Sequence, residues 1–274
     1  MTIRPGSDAI FANLSSGSSG NCTYIGDGKT GVLVDCGLST KQVRLRMAAV
    51  GLEHAPIDGV LITHEHGDHV NAAAIFQRNH KRKTGVTLPF YMTHGTAIDL
   101  NPKVRPENIT HITSGTHFGL GSLHIEPTAL SHDTVEPVFF VVTANSARIG
   151  VITDLGKITH LVRQKFSTLD LALIEFNHDV EMLMDSGRPW ATKQRIRGKE
   201  GHLSNAQAAA LVEQVAPYAP QLRQLVLGHL SGECNTPAIA QTACLEALDK
   251  ANRNDIIVSM AHQKNPTGPI SVCL

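Results

Sequence analysis

The chain has 274 residues, 42% of them hydrophobic and only 4% aromatic, so a sizeable and largely aliphatic core is expected. Its 24 basic and 24 acidic residues cancel, which excludes a bulk electrostatic drive toward nucleic acid or acidic membrane and makes any polyanion binding local. The five cysteines form no CxxC pair, no run of about 18 apolar residues occurs, and no basic-then-apolar pattern opens the sequence. A thiolate zinc site and a membrane partner are therefore not expected, and a reduced, cytoplasmic protein is.

Strand-like pieces come first: Ile10 to Leu14, Cys22 to Ile25 and Gly31 to Asp35. Between the first two, Ser15-Ser16-Gly17-Ser18-Ser19-Gly20-Asn21 reads either as a flexible turn or as a tight backbone passage beside a site. Ser39 to Val50 reads as a helix capped by Ser39 or Thr40. The apolar run Gly59 to Ile62 then leads into Thr63-His64-Glu65-His66-Gly67-Asp68-His69. Imidazole and carboxylate donors together suit zinc and related first-row ions. His64 and His66, two apart on an extended loop, point the same way and can share one ion. Asp68 and His69 follow at a helix start and can turn to a second ion. Burying so many titratable groups without a metal would be costly. Two ions bridged by a hydroxide would make a hydrolytic centre.

His69 to His80 reads as a helix, and Leu88 to Met92 and Leu123 to Pro127 as short strands. Pro137 to Val142 and Arg148 to Thr153 read as a hairpin around Ala144 to Ser146, and Leu169 to Phe176 as a buried strand. Asp185 to Gly201 is linker-like. Within it Lys193, Arg195, Arg197 and Lys199 read as a solvated face or as a loop gripping a phosphate backbone. Trp190 reads as core or interface packing, or as a platform for a terminal base. Ser204 to Ala216 is a helix, Gln224 to Leu227 a strand and Pro237 to Ala251 a last helix, with no motif placed after it. Strands mixed with outer helices predict an α/β architecture with sheets at its centre.

Further metal donors are sought at strand ends. His132, Asp154 and His229 each stand there, and a carboxylate such as Asp154 can bridge two ions. The motif H-x-H-x-D-H, followed by His132, Asp154 and His229, resembles the metallo-β-lactamase superfamily. The resemblance implies an αββα sandwich, read here as one domain over residues 1–274. It also implies His64, His66 and His132 on a first metal, Asp68, His69 and His229 on a second, and Asp154 between them. Asp35 matches the superfamily's early strand-end aspartate, structural and near the site. The stretches Leu14 to Asn21, Ser131 to Asp133, Glu175 to Asp179, Gly201 to Asn205 and Gly228 to Ser231 look like the YycJ/WalJ-type subgroup, a likeness running from about residue 10 to 237. This implies a nuclease cutting double-stranded DNA from 5′ ends, associated with mismatch repair.

Phosphodiester cleavage also needs a proton for the leaving oxygen. Gly201-His202-Leu203-Ser204-Asn205 resembles the helix entry of ribonuclease Z, where a histidine supplies that proton, so His202 is the expected donor. Glu175 is expected to orient it, making Asp68, His202 and Glu175 the catalytic set with two zinc or manganese ions as cofactors. His178, Asp179 and Ser231 are weaker candidates. His54, His80, His94, His111, His117, His124, His160 and His262 lie outside the pattern and receive no role. The competing reading is a small-molecule hydrolase, a thioesterase, lactonase or cyclic phosphodiesterase, on the same fold. It would share the metal ligands without needing His202 or the basic run.

Overall fold

A computed structural model describes residues 8–273, which divide into two compact units. The first contains residues 8–129, 134–147 and 262–273; the second contains residues 130–133 and 148–261.

The first unit is built on a seven-stranded sheet ordered β14-β1-β2-β3-β4-β5-β6. Its strands are β1 (Ala9–Ser15), β2 (Cys22–Gly26), β3 (Gly31–Val34), β4 (Gly59–Leu61), β5 (Phe90–Thr93), β6 (Ile109–Ile112) and β14 (Thr267–Val272). β1 to β3 pair antiparallel, and β3 to β6 run parallel. Residues of β1 to β4 are buried on both faces, which explains why these strands are mostly apolar rather than alternating. Helices α1 (Thr40–Ala49) and α3 (Ala73–Thr84) bury Val43, Met47, Ala73 and Phe76 in one core with Leu14, Tyr24, Leu33, Ile62 and Phe90. The meander β7 (Phe118–Leu120), β8 (Leu123–Ala129) and β9 (Val138–Ala144) belongs to the same unit. After it Asn145 and Ser146, both with positive φ (46° and 72°), form the turn, while Ala144, expected within it, is the last residue of β9.

The second unit carries four parallel strands in the order β10 (Ala147–Ile152), β11 (Leu171–Glu175), β12 (Gln224–Gly228) and β13 (Ile257–Met260). Helices α5 (His160–Phe166), α8 (Asn205–Val215) and α9 (Pro237–Lys250) accompany them. A capping box fixes the start of α8: Ser204 accepts from the Gln207 amide and the Gln207 side chain accepts from the Ser204 amide.

Several expectations are corrected. The helix expected over His69–His80 is two, α2 (Gly67–Val70) and α3. The linker expected over Asp185–Gly201 contains helix α7 (Trp190–Arg197), preceded by α6 (Val180–Asp185) capped by Asp179. Asp179 caps α6, whereas α7 starts at Pro189 with no side-chain cap. The segment left without a motif after Ala251 forms β13 and β14, and β14 pairs antiparallel with β1. α4 (His94–Asp99), α5, β6 and β7 were not anticipated. Among the described residues no helix is long and apolar enough to cross a membrane.

Candidate metal centre

In the first unit, β3 and β4 are parallel neighbours, and their carboxyl ends deliver Asp35 and the segment Thr63–His69. Asp35 stands in a left-handed backbone (φ 64°), an uncommon state for a residue with a side chain. Its Oδ1 accepts from the Thr63 amide and hydroxyl, both at 2.9 Å, and its Oδ2 lies 2.8 Å from His69 Nδ1. Thr63 Oγ1 is 3.0 Å from His64 Nδ1. His69 thus has Nδ1 committed to a carboxylate and Nε2 turned to Asp68, 3.4 Å from Oδ2. A carboxylate holding the far nitrogen of a histidine is the usual support for a metal ligand. His64 and His69 are buried, and the His64 ring lies 4.8 Å from the His66 ring and 4.0 Å from the His69 ring.

The serine- and glycine-rich segment before Asn21 is a close backbone passage. Asn21 Nδ2 lies 3.0 Å from both Asp68 Oδ2 and His69 Nε2, and its backbone amide donates to the Asp68 carbonyl at 2.8 Å. The Cys36 amide donates to the His69 carbonyl at 2.7 Å. Gly37 completes the cradle, because a Cβ there would stand 1.8 Å from the Asp68 carbonyl oxygen.

In the second unit, β10, β11 and β12 end side by side in Asp154, Glu175 and His229. Donors beyond adjacent parallel strand ends are where α/β sheets place ligands. Asp154 (φ 58°) and His229 (φ 54°) both have left-handed backbone, although neither lies in a hairpin. Around Asp154 Oδ1 stand His229 Nε2 at 3.3 Å and His132 Nε2 at 3.8 Å. His132 Nδ1 donates to the Gly201 carbonyl at 3.1 Å, which leaves Nε2 with the lone pair. Burial lowers the His132 pKa, partly offset by Asp154, so the ring is held neutral as a ligand must be. In a tetrahedral zinc shell with bonds of about 2.0–2.1 Å, neighbouring donors lie about 3.3 Å apart. The nitrogen and oxygen donors, their spacing and their outer carbonyl and carboxylate supports fit divalent ions in each half.

His202 enters from the turn before α8. Its Nδ1 lies 2.7 Å from Glu175 Oε1 and 3.8 Å from Asp154 Oδ1, while Glu175 Oε2 accepts from the Leu155 amide at 2.8 Å. Burial works against a charge on His202, but the Glu175 carboxylate, its hydrogen bond and Asp154 outweigh it and raise the pKa to about 9. Asn177 Nδ2 donates to the His229 carbonyl at 2.9 Å, and the buried pair Asn205–Asn235 ties the α8 start to the Phe176 carbonyl. Sequence reading missed Asn21, Asn177 and Asn235 as supports, since a lone asparagine carries no spacing signal.

Of the weaker candidates, Asp179 caps α6 through its bond from the Met182 amide, and the Ser231 hydroxyl accepts from the Cys234 amide. His178 is buried, which lowers its pKa to about 4. The basic run is corrected in part. Lys193 is buried and donates to the Met184 carbonyl, so only Arg195, Arg197 and Lys199 reach solvent, and Arg195 pairs with Asp133. Trp190 is 57% exposed and is no core residue.

A family model described as the beta-lactamase superfamily domain matches residues 30–230. The chain is 29% identical over 265 residues to the exodeoxyribonuclease YycJ of Bacillus anthracis, covering 96% of this chain and 97% of that one. It is 31% identical over 245 residues to the exodeoxyribonuclease WalJ of Streptococcus pneumoniae, covering 88% and 89%. Among solved structures, the metallo-beta-lactamase fold protein YhfI of Bacillus subtilis matches with a TM-score of 0.68 at 15% identity over 95% of this chain and 99% of that one. That likeness concerns the fold alone, and it is the class expected from the sequence.

Proposed function

Because this chain belongs to the metallo-β-lactamase superfamily and groups there with the YycJ/WalJ exodeoxyribonucleases, we propose that it is a metal-dependent exonuclease acting on double-stranded DNA from 5′ ends. In this reading His64, His66 and His132 would hold one divalent ion, Asp68, His69 and His229 would hold a second, and Asp154 would serve both. Zinc and manganese suit the donor set. Two such ions, when bound, supply Lewis acidity toward the phosphoryl oxygens and a lowered pKa for water.

The protein's own groups do the rest. Asp35 and the Gly201 carbonyl hold His69 and His132 in the tautomers that present Nε2. Asp68 and Asp154 each bring negative charge that favours a cation beside the neutral imidazoles. His202 gives its proton to the leaving oxygen, and Glu175 holds its ring and restores the charge balance. Arg195, Arg197 and Lys199 meet the phosphate backbone. A nuclease of chromosomal DNA would work in the cytoplasm, the compartment this reading implies.

The observation that carries this reading is the His202–Glu175 pair beside Asp154. An imidazole whose pKa two carboxylates raise sits within reach of Asp154 without being needed as a ligand in this reading, which suits proton donation to an alkoxide leaving group. The test uses purified protein with Mn²⁺ or Zn²⁺, 5′-labelled duplex DNA, RNA of the same sequence and a thioester. Duplex shortening from the 5′ end is expected, and His202→Ala should slow it by at least about 100-fold with metal content intact. Turnover of the thioester alone would establish the small-molecule reading. Loss of metal in His202→Ala would make His202 a ligand.

A further inference from the structure

Three side chains with no place in the proposed centre converge on the β7–β8 hairpin of the first unit. The ladder pairs Phe118 with Ile125, Gly119 with His124 and Leu120 with Leu123. One position further, the same register sets His117 opposite Glu126. His124 and Glu126, two apart on β8, share the face on which His117 stands. Gly119 lies directly across from His124 and carries no side chain; a Cβ there would meet nothing nearer than 3.9 Å. The His117 ring leans over this gap to bring its Nδ1 within 3.2 Å of His124 Nε2. The two rings meet edge to face at 5.2 Å, and His117 Nε2 lies 3.7 Å from Glu126 Oε2. One donor atom from each of the three residues lies within 4.8 Å of the others.

We propose that His117, His124 and Glu126 form a second, surface-facing site for a transition-metal divalent cation, separate from the proposed catalytic ions. The nitrogen–nitrogen spacing is that of adjacent donors in a tetrahedral shell, which is about 3.3 Å with bonds of about 2.0–2.1 Å. Two imidazoles and one carboxylate select Zn²⁺, Cu²⁺, Ni²⁺ or Co²⁺ over Mg²⁺ and Ca²⁺. Both histidines are exposed to arriving ions, whereas the Glu126 side chain is only 4% exposed and so is held in place by its surroundings. β7 has only three residues and pairs within this unit with β8 alone, so an ion bridging the strands acts as a clip on a short edge. An ion that binds the folded hairpin and not the unfolded chain stabilises it by mass action.

The test is metal stoichiometry. Protein stripped by chelator is titrated with Zn²⁺, desalted and measured by elemental analysis, and Cu²⁺ bound to the same protein is examined by electron paramagnetic resonance. Wild type should retain one ion more per chain than His124→Asn or His117→Asn, with the nitrogen hyperfine of two imidazoles lost in both variants. Glu126→Gln should weaken that one ion by about 10- to 100-fold. Nuclease activity should not change in any of the three. Equal ion counts in wild type and the histidine variants would overturn the site. So would an extra ion that persists when either histidine is replaced. Neither result touches the nuclease reading, which is measured separately by DNA cleavage.

Discussion

His202 holds its proton because two carboxylates face it, and the consequence is a pH limit. With a pKa of about 9, the acid form persists through neutral pH and is lost as pH rises through that value. The proposed cleavage should follow the same alkaline fall. Glu175→Gln removes the main charge that raises this pKa, so the fall should move to lower pH in a rate–pH profile. An unmoved alkaline limb would show that Glu175 does not set it. His178 works in the opposite direction. Its Nδ1 is buried and has no hydrogen-bond partner among the described residues, and burial holds the folded pKa near 4 against an ordinary 6.5. Between those values the unfolded chain binds the proton and the folded one does not. The contribution to stability is therefore complete above about pH 6.5 and is lost as pH falls toward 4. Urea midpoints across that window should decline less in His178→Asn than in wild type; an equal decline would assign the acid sensitivity elsewhere.

At the scale of elements, the first half-site rests on contacts between loops rather than on any one helix or strand. Gly37→Ala should force the Asp68 carbonyl aside, costing about 1–3 kcal/mol and lowering the metal content of that half. Gly187, whose Cβ would meet nothing within 4 Å, is the control, with Gly187→Ala expected within about 0.5 kcal/mol. Both are checked by urea melts and bound metal per chain; a tolerated Gly37→Ala would show that the cradle can relax. Elements with a strong local signal were legible in advance. β1 to β4 announced themselves as short, mostly apolar strand-like pieces, and α8 by the apolar spacing of Ala208, Leu211, Val212 and Val215. The ligand candidates were legible because histidine pairs and strand-end carboxylates are rare in combination. α7 was hidden because its residues are polar and basic and its start at Pro189 has no side-chain cap. β14 was hidden because what makes it a strand is its pairing with β1, at the other end of the sequence. The pairing of Glu175 with His202 was guessed from chemistry, but the asparagine scaffold behind it depends on tertiary contacts that no spacing encodes.

On the scale of the whole molecule, zero formal charge leaves the proposed DNA binding to a few exposed cations. The salt dependence should accordingly be shallow, since each neutralised phosphate contributes a slope of about −0.9. Arg195→Glu with Arg197→Glu should weaken duplex binding and flatten the slope by about one to two, Arg195 counting for less because Asp133 already pairs with it. Unchanged binding would leave the run as a solvated face. The path of the chain has a further consequence, measured in time. Gln263 ties down the passage before Asn21: its Oε1 accepts from the Ser19 amide at 2.9 Å and its Nε2 donates to the Gly20 carbonyl at 3.0 Å. Ser19 and Gln263 are 244 positions apart. At about 5–20 residues per second, a ribosome takes roughly 10 to 50 s to travel between them. Throughout that interval β1 presents an open edge and the Ser19–Gly20 passage before Asn21 lacks its Gln263 contacts. The strand that closes the first unit is made only after the whole of the second, so the passage beside the early-made candidate metal loop gains its last contacts only when the chain is nearly complete.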